Sequence, residues 1–598
     1  MRHAIGRVPG VLGCVAAAWT LAVPTAGAQA PGSAPWYRTL DDRMSVRRPA
    51  SLGEWQERAA WLREHVLATA GLLPEPERTP LDPVVFDERD HGDYRVSKVY
   101  FESLPGFFVA GNLYKPAGPG PFPAILSPHG HWTHGRLEHT DTASVPGRAI
   151  GFARLGFVVF TYDMIGYNDS RQLPHRSSSG ESARPWGRRE GLWGLSLAGL
   201  QLWNGIRALD FLESLPEVAR ERIGATGASG GGTQVFLLSA VDERVAASAP
   251  VNMISLRMQG GCLCENLPHL RLETNNVEVA ALAAPRPLLM VAATGDWTSE
   301  TKEIEYPEMR RFYELFGKAD RVSAIRVDAG HNYNRESREA VFAWMMRWLK
   351  DAPATLSLSE QPFQVDPEPD LLVFHDRPLP EGALTAEALA ESWIAAARRQ
   401  LGAADRRPFR SALLHALGFP RQEPPPPPSA GGRRLVVLAS TDPQVEPALE
   451  RAGFAVRTVA FTPFDAAAAA TVRHFETYNR GPASQRVADL VRALVNAPGA
   501  ALVADGEAAP PAFLAAAVAA VPVAVLDMDA FDVSSDAAFL ARLDVPGLRR
   551  AGDLDTAAAM ARGTLVVHNA GARFPVDGVT AHARKLTADE VVRLLQAD

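Results

Sequence analysis

The sequence has three cysteines in 598 residues, a scarcity that excludes a fold stapled by disulfides. Cys14 sits in an N-terminal stretch that reads as removable, which leaves Cys262 and Cys264, one residue apart. Stability therefore has to come from buried apolar surface. An excess of positive charge is also lacking: 61 Lys and Arg face 68 Asp and Glu, a formal charge of −7, with no long basic run. Nothing draws the whole molecule toward nucleic acid or anionic lipid. Beyond the first thirty residues there is no long apolar run either. The longest uncharged one, Ala508 to Leu526, is mostly alanine and is broken by Pro510, Pro511 and Pro522, a poor membrane span. What is present is ordinary globular composition, 46% hydrophobic and 22% charged, in a chain long enough for two or three domains.

Residues 1–30 read as a secretory signal peptide, with Arg2 and Arg7 as the positive start, Val11 to Val23 as the apolar stretch and Ala28-Gln29-Ala30 as the cleavage site. Cys14 lies inside the apolar run rather than after it, which argues against lipid attachment. The expected destination is secreted or periplasmic.

Five segments follow from texture. After the signal, residues 31–95 form an N-terminal extension, helical where Trp55, Ala59, Leu62, Val66 and Leu67 recur at helical spacing. Residues 96–350 alternate strand and helix patterns, the order of an α/β domain with a mostly parallel sheet. Residues 351–432 are a Pro-rich connector ending in five prolines, 424–428, with polyproline II character. Residues 433–598 again alternate strand and helix patterns, as a second, non-catalytic α/β domain would.

The chemistry-bearing motif is Gly227-Ala228-Ser229-Gly230-Gly231, placed between an apolar strand and a helix-like run. A serine on such a strand-to-helix corner projects its hydroxyl from the sheet, and the glycines permit the strained backbone and close approach. Its hydroxyl needs a base, and the base needs a carboxylate to hold its tautomer. Asp296 follows the strand Pro287 to Ala293, and His331 follows the strand Ala324 to Asp328. The order Ser229, Asp296, His331 is that of α/β-hydrolases; Glu303, Glu305 and Asp328 are fallback acids. The oxyanion would be held by the backbone N–H of Gly230 and by a donor from the turn Pro128-His129-Gly130-His131-Trp132, with His131 as the expected residue.

These residues, with the segment Phe160 to Ser170 and Ala284-Pro285-Arg286-Pro287, resemble the α/β-hydrolase superfamily, specifically its acetyl xylan esterase-like and dienelactone hydrolase-like branches. Because dienelactone hydrolases use cysteine where this chain has Ser229, the resemblance implies an exported serine carboxylic-ester hydrolase acting on a small-molecule or polysaccharide ester. It implies no cofactor or metal and no nucleic-acid partner. Gly260-Gly261-Cys262-Leu263-Cys264-Glu265-Asn266 also looks like a signature of exported bacterial esterase-like proteins. Cys262, Cys264, Glu265 and His269 are conceivable metal ligands, but their spacing matches no usual zinc pattern. Two other uses of the segment stay open: Cys262 and Cys264 as a disulfide, or a wall of the active site. Trp186, Arg188 and Glu265 are candidate substrate-binding residues, a tryptophan for a sugar face and an arginine for a uronate. Two rival functions stand beside the esterase: a prolyl-oligopeptidase-like peptidase, and a carbohydrate-binding protein with a retired hydrolase fold.

Residues 433–598 also read as a degenerate copy of the hydrolase half. Setting Gly227 against Gly506 places Ala508 opposite Ser229, so the copy lacks a nucleophile. The rival reading is an unrelated Rossmann-like domain. If the copy is inert, a chain ending near Pro428 is expected to keep hydrolysing small esters, provided it stays soluble.

Overall fold

The computed structural model describes residues 36–176, 180–258, 260–402, 405–419, 434–571 and 574–597. The signal-peptide reading of 1–30 and the polyproline reading of 424–428 lie outside these residues.

The first sheet has nine strands, built where β-branched and aromatic residues run between Gly and Pro. They are β1 (Val84–Asp90), β2 (Tyr94–Leu104), β3 (Phe107–Pro116), β4 (Phe122–Leu126), β5 (Val158–Tyr162), β6 (Val218–Ala228), β7 (Val245–Val251), β8 (Leu288–Gly295) and β9 (Val322–Gly330). Their spatial order is β1-β2-β3-β5-β4-β6-β7-β8-β9. The first three are antiparallel to their neighbours, and from β5 to β9 all pairs are parallel. This is the α/β architecture expected of 96–350, but the sheet starts earlier, at Val84. Strand β1 reads Val-Val-Phe-Asp-Glu-Arg-Asp and is largely exposed, so it has the charged texture that protects a sheet edge and no alternating apolar signal.

The order β5-β4-β6 reverses the winding direction between β4 and β6. In open α/β sheets a crevice forms at such a reversal, outside the carboxyl ends of the strands. The oxyanion turn leaves β4 there and Ser229 leaves β6.

The connector is more structured than its proline content suggests. It contains the helices Ala386–Leu401 and Arg407–Ala416; in the second, Pro408 sits in the first turn, where a missing N–H costs nothing. Upstream, the backbone N–H groups of Val373 and Phe374 both donate to the buried carboxylate of Asp169, at 2.8 Å each.

The second sheet is parallel throughout: β10 (Leu435–Ala439), β11 (Ala455–Thr458), β12 (Ala501–Ala504), β13 (Val523–Asp527), β14 (Thr564–His568) and β15 (Thr580–Ala581), in the order β11-β10-β12-β13-β14-β15. That order repeats β5-β4-β6-β7-β8-β9 of the first sheet, and it is also the order of doubly wound sheets at large. The corner after β12 is at Gly506, with φ +56, where the first sheet has Ser229 with φ 56. The helix that follows, Ala509–Ala519, is capped by Ala508, the residue set opposite Ser229, which caps Gly230–Val241.

The two sheets are not separable units. Trp55, Leu62 and Val66 of the N-terminal helix Leu52–Thr69, Leu413 and Leu417 of the connector, and Phe513 and Leu554 of the C-terminal domain share one continuous apolar core. Polar contacts seal the seam. Trp193 donates from its indole N–H to Asp536 at 3.2 Å and accepts at its carbonyl from the Trp393 indole at 2.9 Å. The N–H groups of Gly547 and Arg549 reach the carbonyls of Gly191 and Leu192 at 2.8 and 3.0 Å. A chain ending near Pro428 would bare this apolar face, so the proviso that it stay soluble governs the expected small-ester hydrolysis.

Replacing the buried Trp193 by alanine is expected to cost about 3–5 kcal/mol and to shift one shared unfolding transition in a denaturant titration. Two well-separated transitions would show that the sheets fold independently.

Candidate active site

Ser229 stands at the end of β6 and caps the helix Gly230–Val241 with φ 56 and ψ −124. A non-glycine residue reaches this conformation only when its surroundings over-determine it. Here the Ser229 N–H donates to Val251 O on β7 at 3.0 Å, and its carbonyl takes the first helical N–H, from Thr233, at 3.0 Å. The flanking glycines are required by contact with the oxyanion turn. A Cβ on Gly231 would lie 2.6 Å from His129 O, and one on Gly227 would lie 2.7 Å from Pro128 O.

The turn is held by His129, which is fully buried. Its Nε2 accepts the Met164 N–H at 2.8 Å and its Nδ1–H faces Gly130 O at 2.6 Å. Burial holds this imidazole neutral, with its pKa pulled down to about 3. The turn presses directly on the serine corner: a Cβ on Gly130 would be 3.3 Å from Ser229 Cβ, and one on Gly230 would be 2.6 Å from His131 Cε1. Gly230, first in its helix, has a backbone N–H with no acceptor inside the helix. It and the His131 N–H flank the corner as oxyanion candidates.

Asp296 and His331 are brought together from the ends of β8 and β9. His331 Nδ1 donates to Asp296 Oδ2 at 2.8 Å. The acid is nearly sealed, with 2% of its side chain exposed, whereas the imidazole is 26% exposed and faces the crevice. The second carboxylate oxygen takes the Thr298 N–H at 2.7 Å and the Thr298 hydroxyl at 2.5 Å. That hydroxyl in turn accepts the Ala293 N–H at 3.0 Å, so the acid cannot rotate away. The ring of His331 lies between Trp297 and Trp132, with centroids 4.6 and 5.8 Å away. Among the described residues Ser229 Oγ has no hydrogen-bond partner, His331 included; such contacts commonly tighten only on substrate binding.

The fallback acids are committed elsewhere. Glu303 pairs with Arg326 at 2.6 Å, Glu305 accepts the Leu256 N–H at 3.0 Å, and Asp328 accepts from Thr294 Oγ1 at 2.8 Å. The expected substrate-binding side chains also turn to other tasks. Trp186 donates its indole N–H to Ala386 O at 2.8 Å, against the connector. Arg188 pairs with Asp544 and, at 2.7 Å, with Glu476, across the domain seam. Glu265 accepts the N–H groups of Gly261 and Cys262 at 2.7 and 2.9 Å. A loop rich in Arg and Trp suits a protein interface as well as a sugar site, and here the interface is the chain's own second domain.

Thr298, Trp297 and the buried His129 carry more of the site than sequence reading assigned them. A threonine two residues after the acid, in Asp296-Trp297-Thr298, is the available signal, a local side-chain-to-backbone turn. Cys262 and Cys264 are buried free thiols, and they gather with His131 and His175 beside the oxyanion turn. His269 points away from them, its Nδ1 at 2.9 Å from Ala416 O.

Residues 77–253 match the family model described as acetyl xylan esterase. A structure named Methylesterase BT1017 is 29% identical to this chain, with a TM-score of 0.50, covering 59% of this chain and 77% of that one. The Bacillus subtilis protein named "Putative hydrolase YtaP" is 23% identical over 306 residues, covering 48% of this chain and 98% of that protein. A glucuronoyl esterase from Solibacter usitatus is 17% identical with a TM-score of 0.38, covering 52% of this chain and 97% of that one.

Gly231→Ala is expected to displace the oxyanion turn and reduce ester hydrolysis about 10²-fold, with the fold retained by circular dichroism. Normal turnover would remove the turn from the site. Stability is expected to rise as pH rises from about 3 to 6.5. Over that range the unfolded chain binds a proton at His129 that the native chain excludes until about pH 3. His129→Gln, measured by urea titration across pH 4–7, should flatten part of this slope; an unchanged slope would refute the assignment.

Proposed function

We propose that this chain, whose residues 77–253 match the family model described as acetyl xylan esterase, is an α/β-hydrolase acting as an exported serine esterase that removes acetyl or related acyl groups from polysaccharide. Ser229 Oγ attacks the ester carbonyl while His331 Nε2 takes its proton. The oxyanion is held by the N–H groups of Gly230 and His131. His331 then returns the proton to the leaving sugar oxygen, and a water deprotonated by the same imidazole releases the acid from the acyl-enzyme. Asp296 fixes the tautomer that leaves Nε2 free and stabilises the imidazolium. No step in this sequence calls on a metal.

The observation that carries this reading is the 2.8 Å bond from His331 to a sealed Asp296. It orients a base at the same end of the sheet as a serine held at φ 56. A binding protein has no need of that strained corner. The name carried by the 29%-identical methylesterase adds methyl esters to acetylated xylan as substrates to compare.

Ser229→Ala, His331→Ala and the double variant are expected to lose similar activity, because nucleophile and base act as one unit; additive losses would argue against the pairing. Asp296→Asn is expected to lower turnover by up to roughly 10⁴. A fluorophosphonate probe should label the folded protein at Ser229, and a folded but unlabelled Ser229 would sink the serine mechanism. Acetylated xylo-oligosaccharides, uronate methyl esters and peptides, assayed side by side, then discriminate the substrate.

A further inference from the structure

Four soft ligand atoms converge beside the oxyanion turn, from three separate stretches of chain. His131 Nε2 lies 3.1 Å from Cys264 Sγ, and His175 Nε2 lies 3.2 Å from Cys262 Sγ. All four atoms lie within 4.8 Å of one another. His175, Cys262 and Cys264 are each 1–3% exposed, and the His131 side chain is 10% exposed. We propose that His131, His175, Cys262 and Cys264 form a closed tetrahedral site for a zinc ion that clamps the oxyanion turn.

The donor chemistry selects the ion. Two thiolates and two imidazoles are a tetrahedral set for zinc, whereas calcium and magnesium require oxygen ligands. With both cysteines deprotonated, a divalent ion brings the buried centre to zero net charge. A monovalent copper ion would leave one negative charge uncompensated, which burial penalises. Zinc–nitrogen and zinc–sulfur bonds of about 2.0–2.1 and 2.3 Å in a tetrahedron imply sulfur–nitrogen separations of about 3.5 Å. The two close pairs, at 3.1 and 3.2 Å, reach this by a shift of a few tenths of an ångström.

The surroundings are prepared in the manner of a metal centre. His175 donates its Nδ1–H to Ile165 O at 2.6 Å, which leaves Nε2 unprotonated and aimed at the cluster. Glu265 holds the cysteine loop through the Gly261 and Cys262 N–H groups, and its other oxygen lies 3.9 Å from His131 Nδ1. Ser182 Oγ donates to Cys262 Sγ at 3.3 Å. Four protein ligands leave no open position, so the ion would act structurally rather than on substrate. Its effect on the reaction would pass through His131, whose ring lies against Gly230 and whose N–H is the second oxyanion candidate. The site is independent of the serine chemistry: its occupancy can be measured on protein that hydrolyses nothing.

Elemental analysis of the full-length protein, expressed with zinc in the medium, should find one zinc per chain. Replacing the zinc by cobalt(II) should produce the visible bands of a tetrahedral cobalt thiolate. Cys262→Ser and Cys264→Ser should each lower the metal content at least roughly tenfold, with circular dichroism checking that the variants fold. The wild-type cobalt spectrum decides the matter if they do not. Three results would overturn the assignment: metal retained when both cysteines are replaced, copper(I) rather than zinc at full occupancy, or a Cys262–Cys264 disulfide in protein that still takes up no cobalt after reduction. Failure of Ser229 labelling would leave the metal content untouched, so the two proposals fail separately.

Discussion

The site depends on one steric constraint, the approach of the turn after β4 to the corner after β6. His129 O and Pro128 O occupy the volume that side chains at Gly231 and Gly227 would need, so the turn and the nucleophile corner hold each other in place. Packing at this density transmits displacement instead of absorbing it. For that reason the residues with most influence on the corner include several that touch no substrate: His129 through its bond to Met164, Val251 through the Ser229 N–H, and Thr298 through the acid.

Burial is distributed along this line in a way that suits the chemistry. Asp296 is sealed and fully hydrogen-bonded, His129 is buried and neutral, and His331 alone among the three faces the crevice. The Asp296 carboxylate takes N–H and O–H bonds from Thr298 on one oxygen and the His331 ring on the other, so the imidazole is held in one orientation.

The second domain bears on the same region from outside. It engages two segments that run between strands of the first sheet. One is 186–193, through Asp536, Asp544 and the 547–549 backbone; the other is 266–271, whose His269 and Arg271 N–H groups donate to Glu476 O and Thr477 O at 2.7 and 3.0 Å. The cysteine loop lies just ahead of the latter segment. The second domain thus braces both segments from outside.

Much of the fold is local and was legible. Apolar runs between Gly and Pro mark β4, β5, β7, β8, β10, β12 and β13, because strands buried along most of their length must be apolar on both faces. The corner at Ser229 is legible because only glycines tolerate the contacts on either side, and Asp296 and His331 because each follows a strand. The edge strand β1 was not, since its exposed charges carry no periodic signal, nor were the connector helices, masked by proline. What the linear order could not contain is which distant polar groups meet. Arg188 and Trp186 have the chemistry of sugar recognition, and only the tertiary packing sets Arg188 on the seam with the second domain and Trp186 against the connector. Likewise His131 and His175 stand 44 positions apart, and 133 and 87 positions from the cysteines they face. Spacing rules detect ligands on one loop; the convergence of three loops is decided by the packing that surrounds them.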